Sequence, residues 1–351
     1  MDSKEIAKLA GVSRSTVSKV VNNYPYISDE TKRKVLEVVN KYGYVPQASA
    51  RNLAGKSNKI IGVFITIINN NNDIKDFRVI ESDYFSPFTI ATIDYTDKYD
   101  YKILVLIIDK KRKFEKVRKL LYNKTVSGGI FIGAENNVEE IFKLIKSGYK
   151  LVIIDQEKIK DKTLGKHIII NSKNLEGAYK ATKHLIDYGH KEIAHICGDM
   201  NKFSGFKRLE GYKKALNEEG LPIKEEYIVE GDFTEDSGYE AIKKIFSKKN
   251  KITGIFASND TMAIGAMRFI KEIGFKIPDD ISIVGYDDIK IARYISPSLT
   301  TVGVSMLEMA SIVVKNLIKF IEKDIVYPKY NTVTTNLVIR ESSRRINLAQ
   351  T

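Results

Sequence analysis

Two patterns of apolar and polar positions divide the chain. In residues 1–45 apolar side chains recur at helical spacing between short polar stops. Asp2, with Glu5 three residues on, reads as the cap of a first helix that runs to Ala10 and ends at Gly11. Ser13 caps a second helix through Asn22. Ser28 caps a third, with Asp29 and Glu30 in its positive first turn and Gly43 suited to the left-handed position behind it. From Lys59 onward short β-branched runs alternate with longer amphipathic stretches. The runs are Ile60–Ile65, Ile103–Ile108, Gly129–Ile132, Leu151–Ile154, Ile193–Cys197, Ile255–Ala257 and Ile281–Val284. Being nearly continuous rather than alternating, they predict strands buried on both faces. Helical patterns lie between them, as at Leu175–Tyr188, Gly205–Glu219, Asp236–Phe246 and Thr261–Ile273. Strand–helix alternation means parallel sheets with helices on both faces. Roughly 280 residues is long for one such sheet, so two subdomains are expected.

The segment from Ser3 to Asn22 carries a helix-turn-helix pattern. Ile6, Ala10, Val12, Val17 and Val20 fall where two crossed helices must pack, Ala7 is small where they approach, and Gly11 supplies the turn. In such a head the exposed face of the second helix enters the major groove. Arg14 and Ser15, with Lys19 one turn on, are then the residues that meet base edges, since Arg and Lys donate to guanine O6 and N7. Thr16, Ser18 and Asn22 are placed for phosphate, which positions the protein without reading sequence.

Charge agrees with this. The 351 residues carry a formal net charge of +13. Residues 1–56 hold ten Lys/Arg against five Asp/Glu, leaving +8 spread over the other 295. The head is thus the more basic part per residue, as contact with a polyanion requires. A second basic run, Lys110-Lys111-Arg112-Lys113 and on to Lys124, reads as a solvated helix face. One cysteine, Cys197, precludes an internal disulfide and fits a reducing cytoplasm. There is no apolar N-terminal segment of signal-peptide type and no run near the ~20 residues that span a bilayer. The four histidines and the cysteine show no metal-ligand spacing, and no metal or cofactor is expected. Nucleophile elbows and phosphate-cradling glycine loops are also missing, which argues against an enzyme; His184, His190 and His195 read as structural. A periplasmic binding protein, and a DNA-binding protein with a merely structural body, are the other classes to set against a sensor.

The stretch AGVSRSTVSKVVNN followed by ISDETKRKVLEVVNKYGYVPQASARNLAGKSNKIIGV resembles the lactose-repressor (LacI/GalR) family. The match resumes at His184–Gly198, Arg208–Leu216, Gly254–Met267 and Ile281–Ile289, and closes at Ile295–Val302 and Leu337–Ser342. The resemblance implies a helix-turn-helix domain over 1–45, a hinge helix and linker over 46–57, an effector-binding and dimerisation body over 58–342, and a C-terminal tail over 343–351. Within the body it implies two parallel-sheet subdomains like periplasmic sugar-binding proteins, an N-subdomain of about 58–160 plus 293–322 and a C-subdomain of about 163–290 plus 328–342. The three crossings would fall near Gln156–Thr163, Asp288–Ser296 and Glu322–Tyr330.

The resemblance also implies roles. The hinge orders on DNA, with Leu53 as an apolar wedge in the minor groove beside Arg51. Arg208, Asn259 and Asp287 carry over as effector contacts, and Asp155 matches a fourth; such an Asp/Asn/Arg set suits a polyol. Two departures matter. The segment Ile67–Phe88 is longer than the family's loop there, leaving Phe88 as its pocket residue, and Ile132 and Met306 are apolar at sugar-contact positions. The implied protein is a cytoplasmic repressor that binds a near-palindromic operator as a homodimer, answers to a sugar or sugar derivative, and has no membrane contact.

Overall fold

The computed structural model describes residues 1–21, 24–44, 58–66, 82–108, 113–159, 161, 163–248 and 251–346. The chain divides into two compact units, Met1–Lys59 and Ile60–Thr351.

The first unit contains helices α1 (Ser3–Ala10), α2 (Arg14–Val21) and α3 (Asp29–Tyr42). The capping box at Asp2 is complete: its carboxylate accepts from the amides of Lys4 and Glu5, and Glu5 accepts from the Asp2 amide at 2.8 Å. Gly11 ends α1 in the left-handed region at φ 65°, the conformation expected of a turn glycine. Ser13 Oγ accepts from the Thr16 amide at 3.1 Å, and Ser28 caps α3. Ile6, Ala7, Val17, Val20 and Val35 are the buried core, with Ala10 and Val12 packed at its margin. The expected end of α2 at Asn22, and Arg51 and Leu53 of the hinge, lie outside the described residues.

The second unit is built on two six-stranded sheets. One contains β1 (Ile60–Thr66), β2 (Lys102–Ile108), β3 (Gly128–Ile132), β4 (Leu151–Ile154), β5 (Ile168–Ser172) and β11 (Tyr330–Val333), ordered β11-β5-β4-β3-β1-β2 and parallel throughout. The other contains β6 (Ile193–Cys197), β7 (Ile228–Glu230), β8 (Gly254–Ala257), β9 (Ser282–Asp287), β10 (Thr300–Val304) and β12 (Thr335–Val338), ordered β12-β10-β9-β8-β6-β7. Only β12 runs antiparallel there. Helices α4 (Phe85–Asp97), α5 (Lys113–Tyr122), α6 (Glu139–Lys146) and α11 (Met306–Lys323) clothe the first sheet. The second carries α7 (Asn174–Asp187), α8 (Phe203–Glu218), α9 (Glu235–Ser247) and α10 (Asp260–Glu272).

Burial explains the apolar runs except Ile103–Ile108, expected to be buried on both faces: it forms the edge strand β2, in which only Ile108 is buried. In β1, Ile61, Val63 and Ile65 pack toward α4 and α11, while Phe64 packs oppositely with Phe131 and Val117. In the second lobe Val284 and Phe256 meet Ala178, Leu185 and Tyr212 on one face. Ile196, Ile255 and Ile283 meet Ile242, Ala266 and Ile270 on the other. The last part of the basic run forms α5, in line with the helix face expected of it.

The three crossings lie elsewhere than expected. The chain passes between sheets at residues 172–174, 304–306 and 333–335, not near Gln156–Thr163, Asp288–Ser296 and Glu322–Tyr330. In each case it completes one more strand before crossing. Those strands, β5, β10 and β11, contain Asn, Ser or Thr where a buried strand would be uniformly apolar. The N-lobe therefore takes 60–172 and 306–333, and the C-lobe 174–304 with 335 onward. The tail also starts later than 343. Ser343 bonds His184 and Thr300, Arg344 bonds Asp279, and the Ile346 amide donates to Tyr188 C=O at 2.9 Å.

Candidate functional site

In the head, α2 turns Val17 and Val20 inward and leaves Arg14, Ser15, Ser18 and Lys19 exposed, with Thr16 half-buried. These side chains are lightly engaged. Arg14 Nε donates to Ser3 Oγ at 2.7 Å, and Ser15 and Thr16 share hydrogen bonds with Ser13 Oγ. A convex, cationic, hydroxyl-bearing helix face of this kind can enter a groove and donate to phosphate and base edges.

In the body, the carboxyl ends of β3, β4, β6, β8 and β9 bring polar groups to the junction of the two lobes, where open α/β sheets bind ligands. Asp155 follows β4 with its backbone in the left-handed region at φ 62°. Its carboxylate accepts from Ser204 Oγ of α8 at 2.6 Å, a bond from one lobe to the other. A second interlobe bond runs from the Asn136 amide to Asn201 C=O at 2.8 Å. Arg208, 5 % exposed, is the hub. Its Nε donates to Asn174 Oδ1 at 3.0 Å, Nη1 to Ser258 C=O, and Nη2 to Asp287 Oδ1 at 3.4 Å. Its guanidinium lies 3.7 Å from the centroid of the Tyr286 ring, a stacking contact. Asn174 also reaches Asp155 Oδ1 at 3.5 Å. Three of the sequence-predicted residues, Asp155, Arg208 and Asp287, thus join in one hydrogen-bonded line through Asn174.

The electrostatics follow from burial among charges. Desolvation raises the Asp287 carboxyl to about 6, against the pull of Arg208 and with a push from Asp155. Asp155 is raised by burial too, opposed by its Ser204 bond and by Arg208. Burial lowers Lys202, with Asp199, Asp155, Glu135 and Asp232 pulling the other way. Asp260 is pushed well up, first by burial and then by Asp287. It accepts from the Ile289 amide at 2.9 Å and from Thr301, so it anchors the loop leaving β9.

Two predicted residues stand apart from the line. Asn259 caps α10 through Oδ1, accepting from the Met262 amide at 2.9 Å, and donates Nδ2 to Phe233 C=O at 3.0 Å. Its side chain positions other groups. Phe88 is fully buried in the N-lobe core and does not line the cleft, a correction to the expectation for the long segment. The reason is position along the helix axis: Phe88, one turn into α4 (Phe85–Asp97), is packed in the N-lobe core, whereas Tyr84 stands on the same face at the helix start. There the Tyr84 hydroxyl lies in the field of Asp155, Asp287 and Arg208.

Sequence reasoning also missed Asn174 and Phe233. Phe233 holds an aromatic side chain on a backbone at φ 69°, a costly conformation for a bulky residue. Asn259 fixes its carbonyl, and Gly198 leaves it room, since a Cβ there would come within 2.1 Å of the ring. The one signal available was the aromatic position in GDFTEDSG, ahead of α9. Among the described residues no group of His, Cys, Asp and Glu is arranged to hold a metal ion. No helix of the described residues is long and apolar enough to cross a membrane.

Residues 4–47 match the family described as bacterial regulatory proteins, lacI family, and residues 182–343 match the periplasmic binding protein-like domain. The probable HTH-type transcriptional repressor ExuR of Bacillus subtilis is 34% identical over 345 residues, 98% of each chain. The HTH-type transcriptional repressor PurR of Pasteurella multocida is 34% identical over 344 residues, 97% of each. Among solved structures, the lac repressor dimer bound to operator and the anti-inducer ONPF matches with a TM-score of 0.81 at 25% identity, covering 97% of this chain and 98% of that one. A regulator from Enterococcus faecium with bound ribose matches with a TM-score of 0.69 at 26% identity, covering 82% of this chain and 100% of that one.

Proposed function

The chain belongs to the LacI family of bacterial regulatory proteins, and from that premise we propose a cytoplasmic repressor whose operator affinity is set by a carbohydrate in the interlobe cleft. Two-fold pairing of the head on a near-palindromic operator gives two copies of α2 one reading task each, a turn of DNA apart. Arg14, Ser15 and Lys19 read bases, while Thr16, Ser18 and Asn22 hold phosphate. Arg51 and Leu53 act in the minor groove. In the body Asp155, Asn174, Arg208 and Asp287 take sugar hydroxyls, Tyr84 and Phe233 flank the ring, and Asn259 holds Phe233 in place.

The observation that carries this reading is the hydrogen-bonded line from Asp155 to Asp287, which begins in one lobe and ends in the other. A ligand can shift DNA affinity only by differing in its affinity for two conformations. Groups shared between lobes have that property, because opening the cleft separates them. The coupling expected is about 1–3 kcal/mol. The test is operator affinity with and without a broad carbohydrate panel, in wild type and in Asp287→Asn. Wild type should change several-fold with one sugar, and the variant should bind operator but ignore that sugar. If no carbohydrate changes wild-type affinity, the sensor reading is wrong. Gel mobility of circularly permuted operators should show that Leu53→Ala lessens operator bending, and an undiminished bend removes the wedge.

A further inference from the structure

Arg340, in the Leu337–Ser342 motif, reaches back to the turn that holds Asp287. Asp287 and Asp288 are successive non-glycine residues with positive φ, 112° and 57°. The second value lies in the left-handed well. The first lies beyond it, where a residue with a Cβ is strained. Such a backbone persists only where its surroundings over-determine it. Two holds do so here. Asp260 accepts from the Ile289 amide at 2.9 Å and from Thr301, and Gly285 leaves it room, since a Cβ there would come within 2.1 Å of its carboxylate. The second hold is on Asp288, whose carboxylate lies between two arginines. Arg340 Nη2 donates to Oδ1, and Arg293 Nη2 to Oδ2 at 3.1 Å. Arg340 is fixed in turn: its Nη1 donates to Leu299 C=O at 2.7 Å and its amide to Thr300 Oγ1 at 2.9 Å.

Resting on the reading of the cleft as the effector site, we propose that Arg340 is a positioning residue for effector binding: its grip on Asp288 holds the turn that aims the Asp287 carboxylate. Arg340 carries this grip and Arg293 does not. Both donate to the same carboxylate, but the side chain of Arg293 is 58 % exposed and that of Arg340 13 %. Water screens an exposed pair, and such pairs contribute little. The guanidinium of Arg340 also spans two anchors, Asp288 and Leu299 C=O, which a planar fork can hold at a fixed separation. The aim it protects is a fine one. Asp287 meets Arg208 Nη2 at 3.4 Å, the long edge of hydrogen bonding, so a small shift of the turn loses the contact. Strand order gives the grip its leverage. Asp287 pairs with Gly303 of β10, and β12, which ends two residues before Arg340, pairs with β10 on the other side. The arginine thus ties the last strand of the sheet, across β10, to the proposed binding carboxylate.

The test uses the full chain with glucose, galactose, ribose and cellobiose as probes, read by calorimetry and by operator affinity with and without each sugar. Arg340→Met should weaken whichever sugar wild type binds by about tenfold, the scale of coupling within one network. Its operator affinity without sugar should stay as in wild type. Arg293→Met removes the same charge from the same carboxylate and should change sugar affinity by no more than about twofold. Arg340→Met combined with Asp288→Asn removes the carboxylate left without its arginine, and it should not restore sugar binding. Arg340→Lys keeps the cation but not the fork, and it serves if the methionine variant does not fold; it should still weaken the sugar several-fold. Unchanged sugar affinity in a folded Arg340→Met, or in Arg340→Lys where the methionine variant fails, overturns the proposal. So does an equal loss in Arg293→Met, or a recovery in the double variant, since either would reduce Arg340 to a neutralising charge. If wild type binds none of the sugars, the carbohydrate reading of the cleft fails, and the proposal with it.

Discussion

Arg14, Ser15, Ser18 and Lys19 stand on the outside of a head whose buried core is Ile6, Ala7, Val17, Val20 and Val35. Asp155, Arg208 and Asp287 lie within the body, where Arg208 bonds Asp287 and the Ser258 carbonyl and reaches Asp155 through Asn174. The two regions therefore place function differently relative to stability. In the head the reading surface is separate from the core, and its residues can change while the helices stay as they are. In the body the groups proposed to bind the effector are part of the packing between lobes. Hydrogen bonds within the protein orient them, and altering them alters the fold that carries them. A DNA partner is met by a face; a small ligand is met by an interior.

The sharpest way to break this comparison is Arg208→Met. The change leaves Asp287 buried beside Asp155 without its cation, and strips Asn174 and Ser258 of their donor. Removing one partner of a buried pair costs about 3–5 kcal/mol. Denaturant unfolding of the body should show a loss of that order at pH 8. The loss should be smaller at pH 5, where Asp287, already raised to about 6, takes up a proton and becomes neutral. A loss under about 1 kcal/mol at pH 8 would mean the line contributes nothing to the body, and the contrast with the head would vanish.

A second test uses the histidines, all four of which lie in the body. Burial lowers His184 to about 4 and His195 to about 3, and lowers His190 as well. His184 bonds Ser343 at 2.9 Å and so fastens the end of the chain to α7. A depressed histidine is neutral in the fold and protonates in the unfolded chain below about 6.5. Its contribution is complete above that pH and is lost as pH falls toward 4. Asp287 has the opposite sign, because its raised carboxyl favours the fold as pH falls through 6. The useful quantity is therefore the difference between wild type and His184→Gln. Between pH 6.5 and 4 wild type should lose up to roughly 3 kcal/mol more than the variant. Parallel pH profiles would show that His184 is not held neutral by the fold.

The same contrast governs what can be read from sequence. The head was legible because its determinants are local. The Asp2–Glu5 box, the Gly11 turn and the Ser28 cap each span three or four residues. In the body the apolar runs located β1, β3, β4, β6, β8 and most of β9, since burial on both faces leaves a continuous signature. The crossings were not legible, because β5, β10 and β11 carry polar residues and resemble the loops beside them. The site was legible only in part. Arg208 meets Asn174, Ser258 and Asp287 at separations of 34, 50 and 79 residues, and no local pattern records such meetings. Tyr84 was hidden because it stands at the start of α4, and only knowledge of where that helix begins tells that residue 88, one turn on along the same face, is the one taken into the core. Asn259 and Phe233 form a pair that neither residue announces alone.

The smallest effect on stability belongs to the head, and it completes the comparison. Arg14→Ala gives up one exposed hydrogen bond, to Ser3 Oγ, and Lys19→Ala removes an exposed cation from the outer face of α2. Surface changes of this kind stay within about 0.5 kcal/mol. The cost should instead appear on DNA. A lost guanidinium contact to a base edge is worth about 1–3 kcal/mol per half-site and relaxes preference at one position. Lys32 and Lys34 serve as the control. They sit on α3 in exposed pairs with Asp29 and Glu30, and their removal should weaken all sequences alike if either touches phosphate. Unfolding curves for Arg14→Ala and Lys19→Ala should overlay wild type, while a binding matrix over operator variants should separate them from it. If base preference is unchanged in Arg14→Ala, that side chain does not read DNA. If its unfolding curve shifts by more than 1 kcal/mol, the reading face is not separate from the core, and head and body obey the same rule after all.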